Sequence, residues 1–240
     1  MRRAAAAQAA LILSASLLFV SGVQKEAGDY RQAQKQRQVH EQTRLFLHEE
    51  EGRVSPDFAS LKEINPEFVC WLSFESGLIS LPCVQHSDNS RWLTHLFDGT
   101  PGDTGTLFFD TQCEREDEVR ILYGHSVFYE PSLMFTPLHT LKTEEAFFAN
   151  RKFSLLYEDE SEEYEIFAVA VVDERDESFP IRFRGFVTEE ERSGWLGRLK
   201  SSALIYDEDP PEDRKLLILQ TCEEQESALR LCVFAYNLRA

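Results

Sequence analysis

The sequence has 240 residues, 42% of them apolar and 12% aromatic, enough to build a buried core and to exclude a disordered chain. It carries 25 basic against 42 acidic side chains, a net charge of −17, so the basic footprint that a nucleic-acid binder needs to displace phosphate counterions is missing. Five cysteines, an odd number without regular spacing, describe neither a disulfide framework nor the paired C-x-x-C of a zinc site.

Only Arg2 and Arg3 are charged before residue 25, and an apolar run from Ala4 to Val23 follows them. As a helix rising ~1.5 Å per residue this run reaches about 30 Å, the thickness of a hydrocarbon core. The expectation is a transmembrane signal-anchor over residues 1–24. The two arginines stay cytoplasmic by the positive-inside rule, and the rest of the chain lies outside the cell membrane. That remainder sets 42 acidic against 23 basic residues, or −19. A cleaved signal peptide is the alternative, with Val20-Ser21-Gly22 as a small-residue cleavage site, although the run is long for one. Both readings export the chain.

Residues 25–60 read as a solvated helical stalk, polar and charged, with weak helical periodicity in Tyr30, Ala33, Val39, Leu45 and Leu47. Val54-Ser55-Pro56-Asp57 breaks it, and Asp57 or Ser55 can cap a short helix over Phe58–Ile64. From residue 61 to 240 short apolar runs alternate with turn signals. The predicted strands are Val69–Phe74, Leu81–Val84, Thr106–Phe109, Val119–Tyr123, Phe153–Tyr157, Tyr164–Val172, Lys215–Thr221 and Leu231–Tyr236. Helices are predicted over Thr140–Asn150 and Thr188–Lys200, the second opened by a Thr188/Glu191 capping box. Eight short strands and few helices make a mainly β fold, a closed or nearly closed barrel. The acidic stretch from Glu158 to Glu163 lacks the D-x-D-x-D-G spacing of a calcium loop and reads as a solvated hairpin tip.

Among the cysteines, Cys70, Cys83 and Cys232 sit inside apolar runs and read as small buried hydrophobes, while Cys113, in a polar loop, reads as an exposed thiol. Cys222 differs, because it ends a strand where the apolar pattern stops. A cysteine nucleophile needs a proton partner and a group that stabilises the oxyanion. His125 ends the strand Val119–Tyr123 through Gly124, a residue able to turn the backbone sharply and leave the imidazole at the rim. Arg230, eight residues past Cys222, starts the last strand, so a hairpin would bring the two to one rim. Each of these residues alone is more often structural than catalytic.

Together they resemble the catalytic pattern of sortases, the membrane-anchored cysteine transpeptidases of Gram-positive bacteria, and class B above all. The resemblance runs from about Ile64 to Ala240. Ile64-Asn65-Pro66-Glu67-Phe68-Val69-Cys70-Trp71-Leu72 resembles the family's N-P-x-x-x-G-W-L opening, with Cys70 where glycine is usual. Asp88-Asn89-Ser90-Arg91-Trp92-Leu93-Thr94-His95-Leu96-Phe97 resembles D-N-x-x-Y-L-x-H-x-F, and Gly105-Thr106-Leu107-Phe108-Phe109-Asp110 resembles G-S-I-F-x-D. Tyr123-Gly124-His125 matches the histidine motif, with Ser126 where asparagine is common; Met134-Phe135-Thr136-Pro137-Leu138 matches M-F-x-x-L. Leu219-Gln220-Thr221-Cys222 matches L-x-T-C, and Arg230 falls where the family's arginine falls.

The resemblance implies an eight-stranded sortase-type barrel in which Thr188–Lys200 is the extra class B helix. It implies that Cys222 attacks a carbonyl in the C-terminal sorting signal of an exported protein, forming a thioacyl enzyme that a peptidoglycan-precursor or pilin amine resolves. His125 would serve as general acid and base and Arg230 as the oxyanion partner. Thr221 either lines the substrate groove or packs beside the thiol. No metal or cofactor is implied. The competing functions are an exported cysteine hydrolase using the same site and a non-catalytic surface scaffold.

Overall fold

The computed structural model describes the backbone of residues 2–50, 53–225 and 227–239, and the side chains of 22, 24–48, 54–225 and 227–239. A helix, α1 (Arg2–Arg44), leads into a hairpin of β1 (Leu47–Glu50) and β2 (Arg53–Pro56), then α2 (Phe58–Ile64). The strands β3 (Phe68–Phe74), β4 (Ser80–Val84), β5 (Leu107–Phe109) and β6 (Val119–Tyr123) follow, then α3 (Glu144–Ala149), β7 (Lys152–Leu156) and β8 (Ser161–Asp173). After α4 (Glu189–Ser202) come β9 (Ile205–Tyr206), β10 (Leu216–Cys222) and β11 (Leu229–Asn237).

The order β11-β10-β6-β5-β4-β3-β7-β8, closed by pairing of β8 with β11, makes an eight-stranded barrel, with the two-residue β9 added on β8. All eight predicted strands are present, each within a few residues of its predicted ends. They read as continuous apolar runs because both faces of the wall are buried. Leu217 and Leu219 point into the barrel with Leu72, Leu107, Leu122, Leu155, Leu231 and Val233. Leu216 and Ile218 point outward with Trp71, Ile121 and Phe234 against α2, α4 and the turn at Trp92. An eight-stranded barrel is narrow enough for side chains to fill its interior.

Asp57 caps α2 by accepting from the Ser60 amide. Thr188 caps α4 by accepting from the Glu191 amide at 3.2 Å, while Glu191 reaches back to the amide of Val187 at 2.8 Å, one residue earlier than the usual box. The helix expected over Thr140–Asn150 is a 3-10 segment, Thr136–Lys142, followed by α3, because Thr143 is extended and caps α3 through the Ala146 amide.

The segment expected to stand in solvent as a stalk differs in two ways. Its end folds back as the β1–β2 hairpin, and α1 lies on the barrel. Ala33, Gln36, Val39 and Thr43 are buried, at spacings of three and four that face one side of a helix. Gln36 accepts from Thr104 at 2.6 Å and donates to the Met134 sulfur at 3.2 Å; Arg37 pairs with Glu130. A buried polar glutamine carries this contact, so hydropathy hid it. The run expected as a membrane anchor falls on α1 but, Gly22 apart, outside the described side chains. Among the described residues no helix is long and apolar enough to cross a membrane.

One further expectation is corrected. Cys113 is buried, 5% exposed, because the polar loop around it folds under: the Cys113 carbonyl accepts from Gln85 at 2.6 Å. The acidic stretch forms the tip of the β7–β8 hairpin, as expected, with residues 158–161 exposed. Arg115 donates to Asp159, Glu160 and Glu162 and lies 3.8 Å from the Tyr157 ring centroid. Arg120, inside the wall, bonds Glu162 and the hydroxyls of Tyr157 and Tyr164.

Candidate active site

β6 and β10 are parallel neighbours, with Gln220 opposite Tyr123. Their C-terminal ends therefore leave the barrel at the same rim, where β10 ends in Cys222 and β6 continues through Gly124 to His125. β10 and β11 form an antiparallel hairpin that sets Cys222 directly opposite Arg230. Cys222, His125 and Arg230 line one cleft of about 260 Å³ with Asn89, Leu93, Phe108, Tyr123, Glu174, Arg182 and Gln220. Cys222 and His125 also bound a second recess, of about 530 Å³, whose far walls include Lys25 and Asp29 of α1, Asp103, Phe128, Tyr129 and Glu224.

Gly124 is required for closeness rather than for a sharp turn. It is absent from the residues with positive φ, but a Cβ there would lie 2.5 Å from Leu107 and 2.7 Å from Phe135. Gly105 needs both freedoms: its φ is +66°, and a Cβ would lie 2.5 Å from the Trp92 carbonyl and 3.0 Å from the His125 ring. The loop from Trp92 to Gly105 thus presses on the imidazole, and the Leu93 carbonyl accepts from His125 Nε2 at 2.9 Å. This bond selects the tautomer protonated on Nε2 and leaves Nδ1 as the basic nitrogen.

Burial lowers the His125 pKa below its ordinary 6.5; the Leu93 hydrogen bond and the charge of Asp103 oppose that shift. The neutral imidazole therefore dominates above the lowered value, and any step that needs the imidazolium weakens as pH rises through it. Asp103→Asn removes one opposing contribution, so the pKa should fall further. An imidazole titration followed by NMR checks this, and a rise in the variant contradicts it.

Glu174 orients the arginine, accepting from Arg230 Nη2 at 2.5 Å, with Arg182 3.5 Å from its other oxygen. Arg230 Nη1 donates to the Ser227 carbonyl at 2.6 Å. Asp110 accepts from the Tyr123 hydroxyl at 2.8 Å and from Asn89 at 3.0 Å, fixing the opposite wall. Thr221 points the other way along β10. Its hydroxyl meets Ser126 Oγ at 2.9 Å, and Thr221 is also among the residues that line the cleft.

Ser126 also donates to the Cys222 carbonyl at 2.8 Å and meets His139 Nε2 at 2.8 Å. His139 lies 3.6 Å from Glu223, which pairs with Lys142 at 2.5 Å. Burial and then Lys142 lower the His139 pKa, against the pull of Glu223. Sequence reasoning assigned no site role to Ser126, His139, Glu174, Arg182 or Gln220. Ser126 carried a signal as the residue after His125, and Gln220 another, since it lies two residues from Cys222 and shares its face of the strand.

No family model matches the chain. Sortase B of Staphylococcus aureus is 22% identical over 232 residues, which is 93% of either chain. Among solved structures, sortase B of Clostridium perfringens is 28% identical with a TM-score of 0.67, covering 75% of this chain and 99% of that one. Sortase B of Bacillus anthracis, in complex with AAEK1, has a TM-score of 0.72 at 23% identity, over 88% and 100%. A substrate complex of Staphylococcus aureus sortase B has a TM-score of 0.68 at 21% identity, over 90% and 97%. By sequence along nearly its whole length and by fold, the chain is similar to class B sortases.

Proposed function

We propose that the protein is a cysteine transpeptidase that cuts a C-terminal sorting signal of exported proteins and passes the acyl part to a cell-wall or pilin amine. The observation that carries this reading is that Cys222 and His125 face two recesses at once, one containing Arg230 and one without it. Two approaches to one thiol suit a reaction with two organic substrates.

The Cys222 sulfur, as thiolate, adds to the peptide carbonyl carbon, and the charge that develops on oxygen is met by the Arg230 guanidinium. The C–N bond then breaks, and His125 gives its proton to the departing amine. An acceptor amine adds to the thioester carbonyl, His125 takes a proton from it, and the C–S bond breaks to return the thiolate. Thr221, beside the thiol, lines the cleft proposed to take the donor peptide. Residues 1–24 are proposed as a single-pass membrane anchor, on the strength of Arg2 and Arg3 ahead of the apolar run. Residues 25–60 link it to the catalytic domain, residues 61–240, outside the cell.

The test is product analysis of a cleaved sorting peptide with and without an added amine. The expected outcome is that the amine appears in the product and speeds turnover. Release of free acid alone, at any amine concentration, would assign the site to a hydrolase instead.

A further inference from the structure

Along β10, Leu217 and Leu219 face the barrel interior, so Gln220 and Cys222 share the outer face. Across the ladders Gln220 lies between Tyr123 on β6 and Cys232 on β11, and Cys222 opposite Arg230. Gln220 therefore floors the cleft that ends at the thiol, and it is among the residues lining that cleft. The residue is 3% exposed, yet its Oε1 is fully buried without a hydrogen-bond partner among the described residues. Most buried carboxamide oxygens are paired, because leaving one unmade is destabilising.

None of the donors that line the cleft reaches this oxygen. The Tyr123 hydroxyl serves Asp110, and Arg230 serves Glu174 together with the Ser227 and Leu229 carbonyls. Residues two apart on a strand are about 7 Å apart, the same advance as two residues of an extended peptide.

We infer that Gln220 is a substrate-reading residue whose side-chain oxygen accepts a hydrogen bond from a backbone N–H of the acyl-donor peptide, about two residues from the carbonyl that Cys222 attacks. The inference rests on the transpeptidase reading above. It adds an acceptor for the peptide backbone beside Leu93 and Phe108, the apolar part of the cleft wall. The cost of the unpaired oxygen in the free protein is recovered when the peptide binds, so this position trades stability for recognition.

The probe is a pool of hexapeptide amides with a fixed central Thr and random flanks. The member giving most thioacyl enzyme by intact-mass measurement serves as donor. With Gln220→Leu the donor KM should rise about tenfold, while the KM for the amine and the alkylation rate of Cys222 by iodoacetamide stay unchanged. Thermal stability of the variant should be equal or higher, since it removes a buried unpaired polar atom; a merely structural glutamine would lower it.

An ester in place of the amide two residues before the cleaved bond should cost the wild type the same tenfold and Gln220→Leu nothing more. A donor KM unaffected by Gln220→Leu, or a loss that comes with a lowered Tm, overturns the role of Gln220. No thioacyl enzyme from any peptide in wild type would instead overturn the transpeptidase reading, and the inference with it.

Discussion

Replacing Cys222 with alanine should abolish the thioacyl enzyme and lower turnover by at least about 10⁴-fold, the scale on which a covalent nucleophile is lost. Cys83→Ala and Cys232→Ala should leave thioacyl formation intact. Both of those thiols are fully buried in the wall, where burial pushes their pKa up and keeps them neutral and shielded. Cys113 is likewise raised by burial. Cys222 alone among the five is only half-buried, and it is the one that shares a cleft with a histidine and an arginine. Intact-mass measurement after mixing each variant with the donor peptide checks the set. An adduct on Cys222→Ala would move the nucleophile elsewhere.

Glu162→Gln should be the most damaging single change away from the site, destabilising the protein by about 3 kcal/mol at pH 7. Arg120 is 2% exposed, and Glu162 is the carboxylate that neutralises it inside the wall. Removing one partner of a buried pair leaves an uncompensated charge, which typically costs about 3–5 kcal/mol. The lower end applies because the other Glu162 oxygen faces the more exposed Arg115. Burial alone would raise the Glu162 pKa. The Arg120 charge, with hydrogen bonds from Tyr164, Arg120 and Arg115, outweighs it and holds the carboxyl below its ordinary 4.5. A depressed carboxyl stabilises the fold above its unfolded-state pKa, and that contribution is lost as pH falls through the folded value. Wild type and variant should therefore differ in urea unfolding at pH 7 and converge in acid. An equal midpoint at pH 7 would show that the pair is not what holds the β7–β8 turn.

The barrel was legible because its strands are buried on both faces, so runs such as Leu216–Leu219 and Val119–Tyr123 stand out against their turns. The rim was legible for a related reason. A strand that ends in Cys222, a strand that ends near His125 and a hairpin of fixed length to Arg230 are local patterns. What stayed hidden depends on contacts distant in sequence. Ser126 meets Thr221 95 residues away, and Glu174 meets Arg230 56 residues away. No local pattern reports either. The stalk segment that holds Gln36, and Cys113, were misread for the opposite reason, since polar surroundings suggested solvent where the chain supplied hydrogen-bond partners. The β1–β2 hairpin escaped because Leu47–Glu50 is too short and too charged to carry a strand period.

The parallel pairing of β6 with β10 has a consequence for how the protein comes to life. Ser126 and Cys222 are 96 residues apart in the chain, and the strands that carry their neighbours meet only when that long loop closes, a slow and late kind of contact. A nascent chain thus holds its thiol and its imidazole on separate, unassembled segments. The two groups meet only with completion of the barrel, so on the proposed mechanism turnover itself is a readout of finished folding.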